Sequence, residues 1–142
     1  MSMSAKRLQF IDTNVVMYAL GGSHPLREPC KRILEKIKAK SILVVTNTEV
    51  LQEILHRYFS IGRATLGEIA YKSMSQFCML ILPVKLQDTD SALELLKKHK
   101  DITSRDAIHA ATMINSGMKD IISADPHFDL ISGIRRIDPM SF

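Results

Sequence analysis

Ile42-Leu43-Val44-Val45 is the stretch that most narrows the folds open to this chain. A continuous apolar, β-branched run without polar alternation is the pattern of a strand covered on both faces, as in parallel sheets flanked by helices. Leu8-Gln9-Phe10-Ile11 is a second short apolar run, and it stops at Asp12-Thr13-Asn14, three residues that favour helix N-caps. Val15-Val16-Met17-Tyr18-Ala19 then continues as a helical turn or two, so the first unit reads strand, cap, helix. Gly21 to Pro25 is predicted as a loop, and Glu28 to Ala39 as a helix carrying Ile33, Leu34 and Ile37 at helical spacing among many lysines.

Thr46-Asn47-Thr48-Glu49 reads as a capping box that opens a helix reaching Tyr58 and beyond. Gly62 marks a break before a helix from Ala64 to Phe77, with Leu66, Ile69, Ala70, Met74 and Phe77 as its apolar stripe. Leu80-Ile81-Leu82 is a strand closed by Pro83, and Ser91 to His99 and Ser104 to Ser116 are two further helices, the second ended by Gly117 as a left-handed cap. Ile121-Ile122-Ser123 and Ile134 to Ile137 supply the last strands. This alternation predicts an α/β fold, a three-layer α/β/α sandwich around a mostly parallel central sheet. Residues 1–142 are expected to form a single domain, since the chain contains no internal repeat, linker or low-complexity segment.

Composition excludes several classes. With 142 residues, 46% apolar and 24% charged, the chain can bury a core without disulfide staples and is not a disordered sequence. Cys30 and Cys78 lack any paired spacing and read as reduced core thiols. The start Met1 to Arg7 has a basic flank, but Asp12 cuts the apolar run behind it short and no later run is long enough to cross a bilayer, so the expected location is the cytoplasm, with no membrane partner. A formal charge of +4 suits a polyanionic partner. Neither G-x-G-x-x-G nor a phosphate-binding Gly-Lys-Ser/Thr loop occurs, which argues against a nucleotide-dependent enzyme.

Four acids stand where a surface carboxylate is not expected: Asp12 at the end of an apolar run, Glu53 inside Val50 to Leu55, Asp106 ahead of Ala107-Ile108-His109-Ala110-Ala111, and Asp125 after Ile121-Ile122-Ser123-Ala124. Each has a local explanation: Asp12 as an N-cap, Asp106 in a Thr103 capping box, Asp125 as an Asp-Pro turn initiator. Glu53 lies along the edge of a stripe formed by Val50, Leu51, Ile54, Leu55 and Tyr58, whereas Glu49 lies opposite and reads as the cap. In open α/β sheets ligands gather beyond the carboxyl ends of the strands, where Asp12 and Asp125 fall. Were the four to converge, two carboxylates about 4 Å apart would repel by roughly 4 kcal/mol at an effective dielectric near 20. A cation would offset that repulsion, and hard carboxylate oxygens suit Mg²⁺ or Mn²⁺. His56, His109 and His127 have no paired ligand spacing and are expected in packing or hydrogen-bonding roles. Tyr18, Tyr58 and Tyr71 are too scattered for a base-stacking platform.

Phe10-Ile11-Asp12-Thr13-Asn14, Val50 to Leu55, Ser104 to Ala111 and Ile122 to Asp129, taken in order, resemble the PIN domain family, in particular its small prokaryotic VapC-type toxin ribonucleases. The resemblance spans nearly the whole chain and implies an α/β/α fold and an endoribonuclease that depends on Mg²⁺ or Mn²⁺. It assigns Asp12, Glu53, Asp106 and Asp125 to the family's acidic quartet, with Asp12, Asp106 and Asp125 as the metal ligands. Asn14 and Ser123 become candidate groups that orient the carboxylates, and Asp129 matches a less regular extra acid. The partners it implies are RNA, a protein antitoxin and a second copy in a homodimer. Arg105, beside Asp106, is the basic residue expected to hold RNA, while Lys31, Arg32, Lys36, Lys38 and Lys40 read as a solvated helix face. Two rival readings are a non-catalytic RNA-binding or assembly module and a phosphoesterase acting on DNA or small phosphate esters.

Overall fold

The computed structural model describes residues 7–142, so the expectation placed on the Met1 to Arg7 start lies outside the described residues except at Arg7. In chain order the elements are β1 (Leu8–Ile11), α1 (Thr13–Leu20), α2 (Arg27–Lys38), β2 (Leu43–Asn47), α3 (Thr48–Ser60), α4 (Ala64–Phe77), β3 (Leu80–Leu82), α5 (Leu86–Lys98), α6 (Ser104–Asn115), β4 (Asp120–Ile122) and β5 (Arg135–Ile137), with short 3₁₀ turns at Pro126–Leu130 and Pro139–Ser141. The five strands lie in the order β3-β2-β1-β4-β5, and every neighbouring pair is parallel. The three-layer α/β/α expectation therefore holds, with parallel pairing throughout the sheet.

From β1 the chain steps outward to β2 and β3, then returns past β1 to β4 and β5. Right-handed crossovers put α1 to α4 on one face and α5 and α6 on the other. The contacts of α1 with α3 and α4 agree. The strand order reverses between β1 and β4, and a crevice opens there beyond their carboxyl ends. Phe10, Ile11, Val44, Ile121 and Ile122 are buried in the sheet, sealed on its faces by Val15, Val16, Ile54, Met74, Ala107, Ala110 and Met113. Cys30 and Cys78 are buried and unpaired, as expected of core thiols.

Three local features differ from the sequence reading. Thr46 and Asn47 still belong to β2, and Asn47 rather than Thr46 caps α3, its side-chain oxygen accepting the Val50 N–H at 2.9 Å. Glu49 therefore does not close a capping box. In α4 the buried residues are Gly67, Ala70 and Met74, whereas Ile69 and Phe77 of the predicted stripe are exposed. Gly67 carries this rotation: a Cβ there would stand 2.8 Å from Tyr58 Cβ, so the α3–α4 hairpin closes only over a glycine. Helix α5 begins five residues before the predicted Ser91, at Leu86, because the Asp88 carboxylate accepts the Lys85 N–H at 2.9 Å and the Asn115 amide at 2.9 Å. The expected left-handed stop of α6 is present at Gly117, with φ +76°.

Candidate metal centre

Four elements deliver acids to the crevice. Asp12 follows β1 directly and caps α1 through the Thr13 N–H at 2.7 Å. Its other oxygen accepts the Ser123 hydroxyl at 2.7 Å and the Asn14 amide at 3.2 Å. The same Asn14 amide reaches Ser123 Oγ, and Asn14 Oδ1 accepts the Ala124 N–H, so the segment after β1 is tied to the segment after β4. Asp106 and Thr103 form the predicted capping box at the start of α6. Asp125 caps the 3₁₀ turn by accepting the His127 N–H at 2.9 Å, while its own N–H donates to Ser123 Oγ. Glu53 comes from the second turn of α3 and meets His109 Nε2 at 2.7 Å.

These side chains share one pocket of about 180 Å³, lined by Asp12, Thr13, Asn14, Glu53, Arg105, Asp106, His109 and Asp125 among others. A larger cleft of about 360 Å³ lies where α1 meets the α3–α4 turn and takes up Arg57 and Arg63 beside Tyr58 and Ile61. Its lining offers no carboxylate, so volume and chemistry part company here. Of the lysine-rich face, Lys31 is paired with Glu28 and Lys38 lies over the Phe77 ring, in keeping with a solvated helix surface. Asp129 stands apart from the pocket. It forks with Arg136, whose guanidinium also donates to the Ser123 carbonyl at 3.1 Å, so its connection to the acids is indirect.

Two histidines that chain spacing dismissed stand among the acids. Asp12, Glu53 and His109 present ligand-type atoms within 4.8 Å of one another, and so do Asp106, Asp125 and His127. The His127 ring nitrogen Nδ1 is 3.2 Å from Asp125 and 3.9 Å from Asp106. The only signals in the sequence were local, His109 one turn after Asp106 and His127 two residues after Asp125.

Electrostatics match a site short of positive charge. Burial raises the Asp12 carboxyl above its ordinary value, and Glu53 adds to the rise against the pull of His109 and Ser123. Burial and then the charge of Asp125 raise Asp106. For His109, burial opposes protonation, but the Glu53 hydrogen bond and the charges of Asp12, Glu53 and Asp106 push its pKa upward. The donor set fits a divalent cation: hard carboxylate oxygens whose mutual repulsion a cation relieves, beside a buried Thr13 hydroxyl without a hydrogen-bond partner.

The sequence profile of the PIN domain matches residues 10–134. The chain belongs to the PIN domain family. Ribonuclease VapC13 of Mycobacterium tuberculosis is 34% identical over 127 residues, which cover 89% of this chain and 97% of that relative. Among solved structures, M. tuberculosis VapC20, a toxin that cleaves the sarcin–ricin loop, superposes with a TM-score of 0.72 at 19% identity, over 87% of this chain and 93% of its own. A toxin–antitoxin complex from Klebsiella pneumoniae gives a TM-score of 0.65 at 17% identity, over 92% of this chain and 97% of the matched one. The structural matches bear on this PIN domain's fold. Among the described residues no helix is long and apolar enough to cross a membrane.

Proposed function

We propose that this PIN domain is a divalent-metal-dependent endoribonuclease, the toxin of a toxin–antitoxin pair. The observation that carries the reading is the convergence of Asp12, Glu53, Asp106 and Asp125 on one pocket at the switch point of the sheet. The ribonuclease names of relatives at 34% identity support the substrate class, and the matched Klebsiella complex supports a protein antitoxin as partner. A homodimer and a cytoplasmic location stay part of the same reading.

Asp12, Asp106 and Asp125 would hold the cation, which we take as Mg²⁺ or Mn²⁺ from the hardness of their oxygens. When bound, such an ion polarises a phosphoryl oxygen and lowers the pKa of an attacking water. The protein supplies the rest. Ser123 and Asn14 fix the rotamer of Asp12, so the carboxylate is aimed before any ion arrives. Glu53 accepts the proton of the attacking water. Arg105, exposed at the pocket rim, contacts an RNA phosphate. Asp129 acts at one remove, bracing Arg136 against the Ser123 carbonyl.

Cleavage of a panel of single-stranded and structured RNAs by wild type and Asp12→Asn, in Mg²⁺, Mn²⁺ and EDTA, tests the proposal. Cleavage confined to metal-loaded wild type is expected. Equal cleavage by Asp12→Asn removes the assignment of the site. The absence of both cleavage and metal-dependent stabilisation in wild type favours the non-catalytic binding module, and cleavage of DNA or small esters alone favours the other phosphoesterase reading.

A further inference from the structure

His109 is 1% exposed, and both of its ring nitrogens are engaged: Nε2 with Glu53 Oε1 at 2.7 Å and Nδ1 with the Asn47 side-chain nitrogen at 3.1 Å. The direction of the Asn47 amide is set twice over. Its oxygen accepts the Val50 N–H as the cap of α3, which leaves only its NH₂ to face the ring. Its nitrogen also reaches Thr112 Oγ1 at 3.3 Å, and Thr112 has already donated its hydroxyl hydrogen to the Ile108 carbonyl at 2.7 Å, so that oxygen must accept. An NH₂ group aimed at Nδ1 requires a lone pair there, and the one remaining ring hydrogen then sits on Nε2. The surrounding carboxylates favour a doubly protonated ring, but that form would set Nδ1–H against the Asn47 NH₂, and reversing the amide would cost two further hydrogen bonds.

We propose that His109 is a positioning residue and not a metal ligand: Asn47 locks it as the Nε2–H tautomer, and that N–H pins one oxygen of Glu53 at the pocket wall, leaving the other for a water or cation. With one lone pair spent on Asn47 and the other nitrogen carrying hydrogen, the ring has nothing left to donate to an ion. The role assigned to Glu53 rests on the nuclease reading above, whereas the tautomer rests on the hydrogen bonds alone. Asn47 thus links the start of α3, which carries Glu53, to the middle of α6, which carries Asp106.

The test joins ring ¹⁵N–¹H NMR of the full chain labelled at histidine with two reciprocal variants. At neutral pH without metal, Nδ1 of His109 should be bare and Nε2 protonated. His109→Gln places an amide nitrogen near the Nε2 position and should retain Mn²⁺ affinity and cleavage within several-fold of wild type. His109→Asn keeps a partner for Asn47 but loses the Glu53 contact, and should lower both by about 10–100-fold, the usual effect of removing such a support. Thermal melts of both variants check that each folds. A proton on Nδ1, a doubly protonated ring, or His109→Asn matching wild type in Mn²⁺ affinity and cleavage overturns the proposal. Failure of wild type itself to bind Mn²⁺, with the tautomer as stated, overturns instead the metal reading on which the use of Glu53 depends.

Discussion

Two groups of the same composition, each two carboxylates and one imidazole, meet at the site and are built in opposite ways. In the first, Asp12, Glu53 and His109 are closely packed and heavily hydrogen-bonded, with Ser123, Asn14, Thr13 and Asn47 as braces. In the second, Asp106 is held by Thr103, but the side chain of Asp125 is 26% exposed and that of His127 47% exposed. Burial explains the difference in bracing. A charge removed from water needs fixed partners, so the inner group is pre-aimed, whereas water can solvate and reorient Asp125 and His127 of the outer group. The inner half is therefore fitted to set geometry and the outer half to admit ligand and solvent.

The largest effect separating the halves is expected from carboxylate neutralisation. Asp12→Asn should lower metal-dependent RNA cleavage on the order of 10³-fold, equivalent to about 4 kcal/mol of transition-state stabilisation. Asp125→Asn should cost about tenfold less, because water can take the place of an exposed ligand. Single-turnover cleavage rates check both, and equal losses would break the proposed contrast.

Stability gives a second comparison, with a sign that metal inverts. The folded pKa of Asp106 lies above its unfolded value, so between the two the folded chain binds more protons and stability falls as pH rises through that interval. The loss persists at neutral pH in EDTA and disappears below the ordinary carboxylate range. Metal-free Asp106→Asn should thus melt a few degrees above wild type at neutral pH, with the gap closing in acid. Saturating Mn²⁺ at 100 times its Kd should stabilise wild type by about 2.7 kcal/mol and reverse the order. Melting curves over a pH series, with and without Mn²⁺, decide it.

Two smaller effects sharpen the picture of the outer half. Arg105→Ala should lower the slope of log K against log salt for RNA binding by about 1, the signature of one lost phosphate contact. His127→Ala should change cleavage by no more than about fivefold, since a half-exposed polar contact contributes up to roughly 1 kcal/mol. A loss as large as that of Asp12→Asn would place His127 with the essential groups.

Much of this was readable from local chemistry. The strand-end position and capping habit of Asp12, the Thr103–Asp106 box, the glycine stop at Gly117 and the edge position of Glu53 on its helix are properties of a few neighbouring residues, and the structure repeats them. The Ile42 to Val45 run was enough to call a helix-covered parallel sheet. The errors came where local signals compete. Asn47 and Thr46 are both good caps, and the ladder from β2 to β3, which pairs Thr46 with Ile81 and Asn47 with Leu82, decided between them. The face of α4 turned on how closely Gly67 approaches Tyr58, a contact with another helix.

The classes of element, their order, and which acids stand at the ends of strands and helices were all legible along the chain, because propensity, capping and hydrophobic period act over a few residues. It took the assembled fold to set β1 beside β4, which joins Asp12 to Ser123 across 111 positions, and to bring Asn47 and Glu53 to His109 across separations of 62 and 56. Such meetings follow from the strand order and from helix packing on the two faces of the sheet. Hydrogen-bond direction, burial and charge coupling exist only once those surfaces have closed.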